Sequence, residues 1–324
     1  MKTLLSIRNL ITAFQTGNSL LTAVDGVSLD VPEGSCVGIV GESGCGKSVA
    51  AMSIVRLLPR PAGRILGGSI KFEGRDLVPL SSDEMNAVRG GRIGVIFQEP
   101  MTALNPVHTI GRQIAEPLMI HNGMNSGEAL SAAEDILRRV RIPDPVRRLS
   151  EYPHQLSGGM RQRVVIAIAL ACNPRLIIAD EPTTALDVTV QAQVLSLLRE
   201  LREESGSACL LITHDMGVIA QQCDRVAVMY AGRIVELADV GELFSHPRHA
   251  YTQGLLRSIP SMSLPRKTRL FTIPGHVAPL DELVGGCRFC QRMGRAGETL
   301  HRRPLLTEIS PGHWVEACPL CLLP

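Results

Sequence analysis

The sequence predicts an α/β fold built on a mainly parallel sheet. Short apolar stretches of strand length recur at 36–40, 92–97, 176–179 and 208–213. Segments whose apolar residues follow helical spacing lie between them. Strands alternating with helices in this way favour parallel pairing, with the strand ends converging on one crevice.

Taken in order, residues 1–40 alternate in strand fashion and close on Cys36-Val-Gly-Ile-Val40. A glycine-rich loop follows, then a helix with apolar residues at 51, 54, 55 and 58. Strand-like segments return at 69–73 and 92–97. Residues 110–141 read as helices broken by Gly and Asn near 122–127. A Leu156-Ser-Gly-Gly159 turn opens a helix over 159–171, and strand 176–179 follows. Asp187 caps a helix whose apolar stripe is 190, 194, 197 and 198. Strand 208–213 ends at His214. From about residue 245 the composition shifts to frequent prolines, two CxxC pairs and the only Trp, so a small C-terminal domain or extension is expected there.

Composition narrows the function classes. The chain has 324 residues, 45% of them apolar, enough for one large core and a smaller one. A net charge of +2 and 3% aromatic residues argue against a nucleic-acid partner, which needs a basic face or stacking platforms. The longest apolar run, Val164 to Cys172, falls far short of the roughly 20 residues of a membrane span. Arg8 and Asn9 interrupt the apolar start, so no signal peptide is expected. A cytosolic chain with reduced thiols follows, and any membrane role comes through partners.

Several motifs carry chemistry. Gly41-Glu-Ser-Gly-Cys-Gly-Lys-Ser48 matches G-x4-G-K-[ST] between a strand and a helix. In such a loop Gly41, Ser43, Gly44, Cys45, Gly46 and Val49 frame phosphates with backbone N–H groups. Lys47 supplies a point charge to the β- and γ-phosphates, and Ser48 a hydroxyl to Mg²⁺. Leu176-Ile-Ile-Ala-Asp180-Glu181 puts two acids at the end of an apolar strand. Asp180 suits a water-mediated metal contact, and Glu181 is then available to polarise an attacking water. His214 and Gln98 each close a strand; the imidazole can reach a γ-phosphate, and the amide Mg²⁺ and water. Ser157, Gly158 and Gly159 form a second anion site at a helix start. Alkylation of Cys45 is expected to block ATP binding, and ATP to slow that alkylation.

Together GESGCGKS, Gln98, LSGGM, LIIADE, the Ala185-Leu186-Asp187 segment and His214 resemble the nucleotide-binding subunit of ATP-binding cassette (ABC) transporters over roughly residues 1–240. The resemblance implies a P-loop ATPase with a RecA-like core in 1–98 and 157–244. It also implies a helical subdomain in 99–156 and an extension in 245–324. Two such subunits would close head to tail on two ATP molecules, each held by one subunit's phosphate loop and the other's Ser157-Gly158-Gly159. Met160 stands where the family's commonest signature has Gln. The family stacks adenine on an aromatic near the N-terminus; Phe14 is the candidate here, and it reads equally well as a core residue.

The segments FQEPMTALNPVHTIGRQI (97–114), HPRHAYTQGLLRSIP (246–260) and Ile273-Pro274-Gly275 resemble the oligopeptide/dipeptide/nickel importer group, although Ala250 replaces that group's proline. The resemblance implies ATP-driven uptake of di- or oligopeptides. Partners would be two membrane permeases, an extracytoplasmic binding protein and a second, different ATPase subunit, at the cytoplasmic face of a bacterial inner membrane. Nickel, metal chelates, opines or glycosides remain open as cargo. A soluble ABC protein of DNA repair or translation, or a small-molecule kinase, fits less of the sequence. In that group the tail often carries four cysteines proposed to hold an iron–sulfur cluster. Cys287 and Cys318 match the first and last, Met293 and Leu300 stand near the middle two, and Cys290 and Cys321 are additional. Two CxxC pairs accept Zn²⁺ or a cluster, or are leftover thiols of an apolar tail. Their separation, residues 291 through 317 or 27 in all, is longer than a compact ribbon needs.

Overall fold

The computed structural model describes residues 2–184, 186–260, 269, 271–295 and 297–323; Ala185 of the expected Ala185-Leu186-Asp187 segment lies outside them. In chain order the strands are β1 (Thr3–Thr16), β2 (Ser19–Pro32), β3 (Cys36–Val40), β4 (Gly63–Phe72), β5 (Arg75–Asp76), β6 (Ile93–Ile96), β7 (Leu176–Asp180), β8 (Ala208–Thr213), β9 (Arg225–Tyr230), β10 (Arg233–Asp239), β11 (Leu306–Ser310) and β12 (His313–Glu316). The chain divides into two compact units.

The first unit comprises Met1–Leu4, Val31–Ser35 and Pro79–Leu211. Its strands lie in the order β8-β7-β6, with β6 and β7 parallel from Ile93 opposite Leu176 to Ile96 opposite Ala179. All five residues of β7 are buried, as a central strand covered on both faces requires. Helices Ile110–Asn122 and Ser126–Arg139 meet at the expected break. Gly123 ends the first in a left-handed conformation, φ 69°. Asn125 opens the second, accepting from the N–H groups of Gly127 and Glu128 at 3.0 Å while Glu128 returns a bond to its backbone. Ala129, Ala133 and Leu137 form its buried stripe. The helix Gly158–Leu170 buries Val164, Val165, Ile166 and Ala167 in succession, so it is covered nearly all round. The helix Val188–Ser205 is capped by Asp187 as expected and buries Val194, Leu197 and Leu198.

The second unit comprises Leu5–Asp30, Cys36–Val78 and Ile212–Pro324. One sheet has the order β2-β1-β4-β5, with β1 and β4 antiparallel. Alternation in β1 buries Leu5 and Ile7, and a register shift against β4 between Arg8 and Ile11 then moves the buried positions to Leu10 and Thr12. The other strands lie in the order β11-β12-β10-β9-β3; β3 and β9 are parallel and the remaining pairs antiparallel. The helix after the glycine-rich loop, Lys47–Ile54, is shorter than its apolar spacing suggested. Arg56 turns left-handed, φ 53°, and Pro59 disfavours helix at Leu58, although Val55 stays buried. Val40, Val226, Val228 and Tyr230 share one core cluster with Tyr251, Phe289 and the four C-terminal cysteines. Phe289 meets Tyr230 edge-on, ring centroids 5.5 Å apart.

Candidate functional site

In the second unit the loop 41–48 links β3 to the helix Lys47–Ile54. Gly46 is that helix's N-cap at φ 103°, and a Cβ there would lie 2.6 Å from the Ala23 carbonyl, so only glycine fits. Among the described residues no side chain caps the helix, and a helix start of this kind favours an anion. Lys47 is 4% exposed, and its Nζ donates to the carbonyls of Gly41 at 2.8 Å and Glu42 at 3.0 Å. Ser43 and Gly44 are exposed; Ser48 and Val49 are half-buried. Cys45 is 1% exposed, and burial pushes its thiol above the ordinary range despite the nearby Lys47.

Two later residues of the same unit, Tyr251 and Arg292, hold this loop. The Glu42 N–H donates to Tyr251 Oη at 2.9 Å. Arg292 donates to both carboxylate oxygens of Glu42, at 2.5 and 3.2 Å, and its guanidinium lies 5.9 Å over the Tyr230 ring. The loop motif contained Glu42, and Tyr251 stood in a segment singled out for another reason; Arg292 carried no signal at all. His214 follows β8 and is exposed. Phe14 is half-buried opposite Gly63, with Cε1 3.0 Å from where a Cβ on that glycine would sit.

In the first unit Asp180 ends β7 and is 4% exposed. Glu181 follows at φ 45°, a left-handed conformation that glutamate rarely adopts. Its Oε2 accepts from Gln98 Nε2 at 3.1 Å and from Thr184 Oγ1 at 2.9 Å. Gln98 and Glu181 therefore meet as a pair, and Thr184 is a third member that the sequence reading did not include. Ser157 and Gly158 are exposed. The Ser157 hydroxyl caps its helix through one long bond, 3.4 Å from Met160 N. A Cβ on Gly159 would come 2.8 Å from Val190 Cγ1, and Val190 N–H donates to Asp187 at 3.0 Å. Val190 thus fixes the signature turn against the Asp187-capped helix.

The thiols of Cys287, Cys290, Cys318 and Cys321 are all buried, and their sulfurs lie within 4.8 Å of one another. None of them forms a disulfide. Hydrogen bonding from neighbouring thiols, Cys321 foremost, pulls Cys287 down to about 5, while burial pushes Cys318 up to about 12. Cys290 and Cys321, not Met293 and Leu300, complete the set; Met293 and Leu300 pack against the same core as apolar neighbours.

Among known proteins, the family model for the ABC transporter matches residues 24–184, and that for the oligopeptide/dipeptide transporter C-terminal region matches 235–298. The chain is 54% identical to a probable peptide ABC transporter ATP-binding protein of Sinorhizobium fredii, over 96% of this chain and 93% of that one. It is 47% identical to the oligopeptide transport ATP-binding protein OppD of Bacillus subtilis, over 97% of this chain and 88% of that one. It is also similar to a solved dimeric ATP-binding cassette in a post-hydrolysis state bound to ADP and Pi. There the TM-score is 0.65 at 31% identity, covering 73% of this chain and 98% of that one. Among the described residues no helix is long and apolar enough to cross a membrane.

Proposed function

The chain belongs to the ABC transporter ATP-binding family as an ATP-hydrolysing subunit, and from that premise we propose that it powers import of di- and oligopeptides. The match of its tail to the oligopeptide/dipeptide transporter region supports this cargo, as do relatives described as peptide transport proteins. In this reading it sits peripherally at the cytoplasmic face of the inner membrane, beside two permeases and a second, different ATPase subunit. An extracytoplasmic binding protein delivers the peptide. Residues 1–98 and 157–244 form the core, 99–156 the helical subdomain, and 245–324 the extension.

The residue roles follow. The loop from Gly41 to Val49 cradles the phosphates, and Lys47 exchanges its carbonyl partners for phosphate oxygens. Ser48, Gln98 and Asp180 offer oxygen donors, the set Mg²⁺ takes. Bound there, the ion neutralises charge building on the β- and γ-phosphates. Glu181 polarises the attacking water, with Gln98 and Thr184 fixing its orientation. His214 contacts the γ-phosphate, and Phe14 stacks on adenine. Ser157, Gly158 and Gly159 cover the γ-phosphate of the opposing subunit's nucleotide, with Asp187 bracing them through Val190. Cys287, Cys290, Cys318 and Cys321 hold a metal, as zinc or an iron–sulfur cluster.

The observation that carries the hydrolytic reading is Glu181, held at φ 45° beyond a buried strand with two donors on one oxygen. Proteoliposomes bearing the assembled importer should accumulate a labelled tripeptide only when ATP is supplied. Glu181→Gln should cut ATP turnover by roughly 10²–10⁴-fold while ATP binding persists and a closed pair with the second ATPase subunit is trapped. Turnover close to the parent would remove Glu181 from its role. Intact ATPase activity without peptide uptake would move the cargo elsewhere.

A further inference from the structure

We propose that Cys287, Cys290, Cys318 and Cys321 bind one zinc ion in a single tetrahedral sphere, not an iron–sulfur cluster. This deepens the metal reading above and rests on it.

The sulfur spacing is the first argument. Sγ–Sγ distances are 3.6 Å for Cys287–Cys321, 3.6 Å for Cys290–Cys318 and 3.4 Å for Cys290–Cys321, and all four sulfurs lie within 4.8 Å of one another. A tetrahedron of thiolates with Zn–S of about 2.3 Å has edges of about 3.8 Å. The three short spacings lie within about 0.4 Å of that figure. A four-iron cluster seats each thiolate on a different iron with the cube between them, and a two-iron cluster separates two thiolate pairs across its sulfides. Either would push the sulfurs well beyond one coordination sphere, into a core shared with Tyr251 and Phe289.

The scaffold is the second argument. Cys287 caps the helix Arg288–Arg292, and its sulfur accepts from the Cys290 N–H at 3.4 Å, so the backbone itself holds the first CxxC turn. Cys318 lies two residues beyond β12, which pairs with β10, and the Cys321 N–H closes a turn onto the Cys318 carbonyl at 3.0 Å. Strand β10 also fixes the first pair: Arg233 donates to the carbonyls of Gly286 at 2.7 Å and Gly285 at 3.0 Å. The 27 residues from 291 through 317 thus include the β11–β12 hairpin, which returns the second pair to the first. The Cys321 carbonyl accepts from the Ala250 N–H at 2.8 Å, tying the second pair to the start of the helix that carries Tyr251. Four buried thiols describe a closed structural site, the arrangement zinc takes when it stabilises a fold. Binding displaces the thiol protons to water, so affinity falls as pH falls.

The test is elemental analysis and acid-labile sulfide determination on the full chain purified without oxygen or added metal, followed by a Co²⁺ titration of chelator-stripped protein. One zinc per chain, no sulfide, and one Co²⁺ bound with tetrahedral thiolate spectra are expected. Cys290→Ser and Cys321→Ser should each lose the stoichiometric zinc, and Cys172→Ser should keep it. Iron with sulfide would overturn the zinc proposal and leave the metal reading standing; so would a single iron without sulfide. No metal as purified and no Co²⁺ uptake would remove both. Zinc retained at full stoichiometry by the Cys290 and Cys321 variants would also overturn it.

Discussion

Cys45 sits inside the phosphate loop, yet it is 1% exposed and its thiol is pushed above its ordinary ionisation by burial. Only the thiolate reacts with alkylating agents. Alkylation at Cys45 therefore waits on the loop opening. Mass-spectrometric labelling should find Cys45 modified roughly tenfold or more slowly in the native chain than in urea. The native rate should climb as pH rises, because the thiolate fraction at neutral pH is small. Equal native and unfolded rates would contradict this burial. The same scale shows which site residues were legible. Lys47, Ser48, Asp180 and Glu181 announce themselves because phosphate and metal chemistry needs those residue types next to a strand end. Thr184 does not, because its role is a single bond to Glu181 that depends on the backbone turning left-handed at Glu181.

Between elements, the end of the helix Arg288–Arg292 and the start of the helix Ala250–Arg257 both meet the loop 41–48 at Glu42. Tyr251→Phe deletes the acceptor of the Glu42 N–H, and Arg292→Ala deletes a paired guanidinium whose side chain is 4% exposed. Leaving one buried donor without its acceptor costs about 1–3 kcal/mol. If half of that falls on the nucleotide-ready loop, ATP should bind about two- to twelvefold more weakly in Tyr251→Phe, and more weakly than in the parent in Arg292→Ala, measured by fluorescent-nucleotide titration. Unchanged affinity in both would show that Tyr251 and Arg292 do not govern the loop. A second junction lies at Asp25 on β2. Burial alone would raise its carboxyl, but Arg233, then Arg288 and Arg303, outweigh burial and hold it below 3.8. A depressed carboxylate stabilises the fold above the unfolded value and loses that contribution as pH falls through the folded value. Asp25→Asn should thus cost roughly 3–5 kcal/mol in urea melts at neutral pH, and the gap from the parent should narrow below about pH 4. A gap that does not vary with pH would refute the charge network. These junctions explain what the sequence hid. Apolar periodicity located β3, β6, β7 and β8, each a short run between turns. It did not locate β11 and β12, because four of the five β11 residues are exposed and the hairpin depends on pairing with β10.

For the whole molecule, the decisive question is where the signature turn finds its anion. Ser157 and Gly158 are exposed, and among the described residues the serine hydroxyl accepts one long capping bond from Met160 N–H. A helix start of this kind favours negative charge, and in the proposed pair that charge is the γ-phosphate held by the other ATPase subunit. Ser157→Asp separates the two duties of this position. Aspartate caps helices as well as serine does, so the chain should keep its stability. A carboxylate facing a γ-phosphate, however, repels it at the moment of closure. In the Glu181→Gln background, Ser157→Asp should leave ATP affinity of the isolated chain nearly unchanged and abolish the ATP-trapped pair with the second ATPase subunit, read by size-exclusion chromatography. Ser157→Ala provides the contrast: it should lose about 1 kcal/mol of stability with the cap, yet still form the trapped pair, because the N–H groups of Gly158 and Gly159 remain. A trapped pair that survives Ser157→Asp at full yield would mean that no triphosphate is shared across the seam at Ser157.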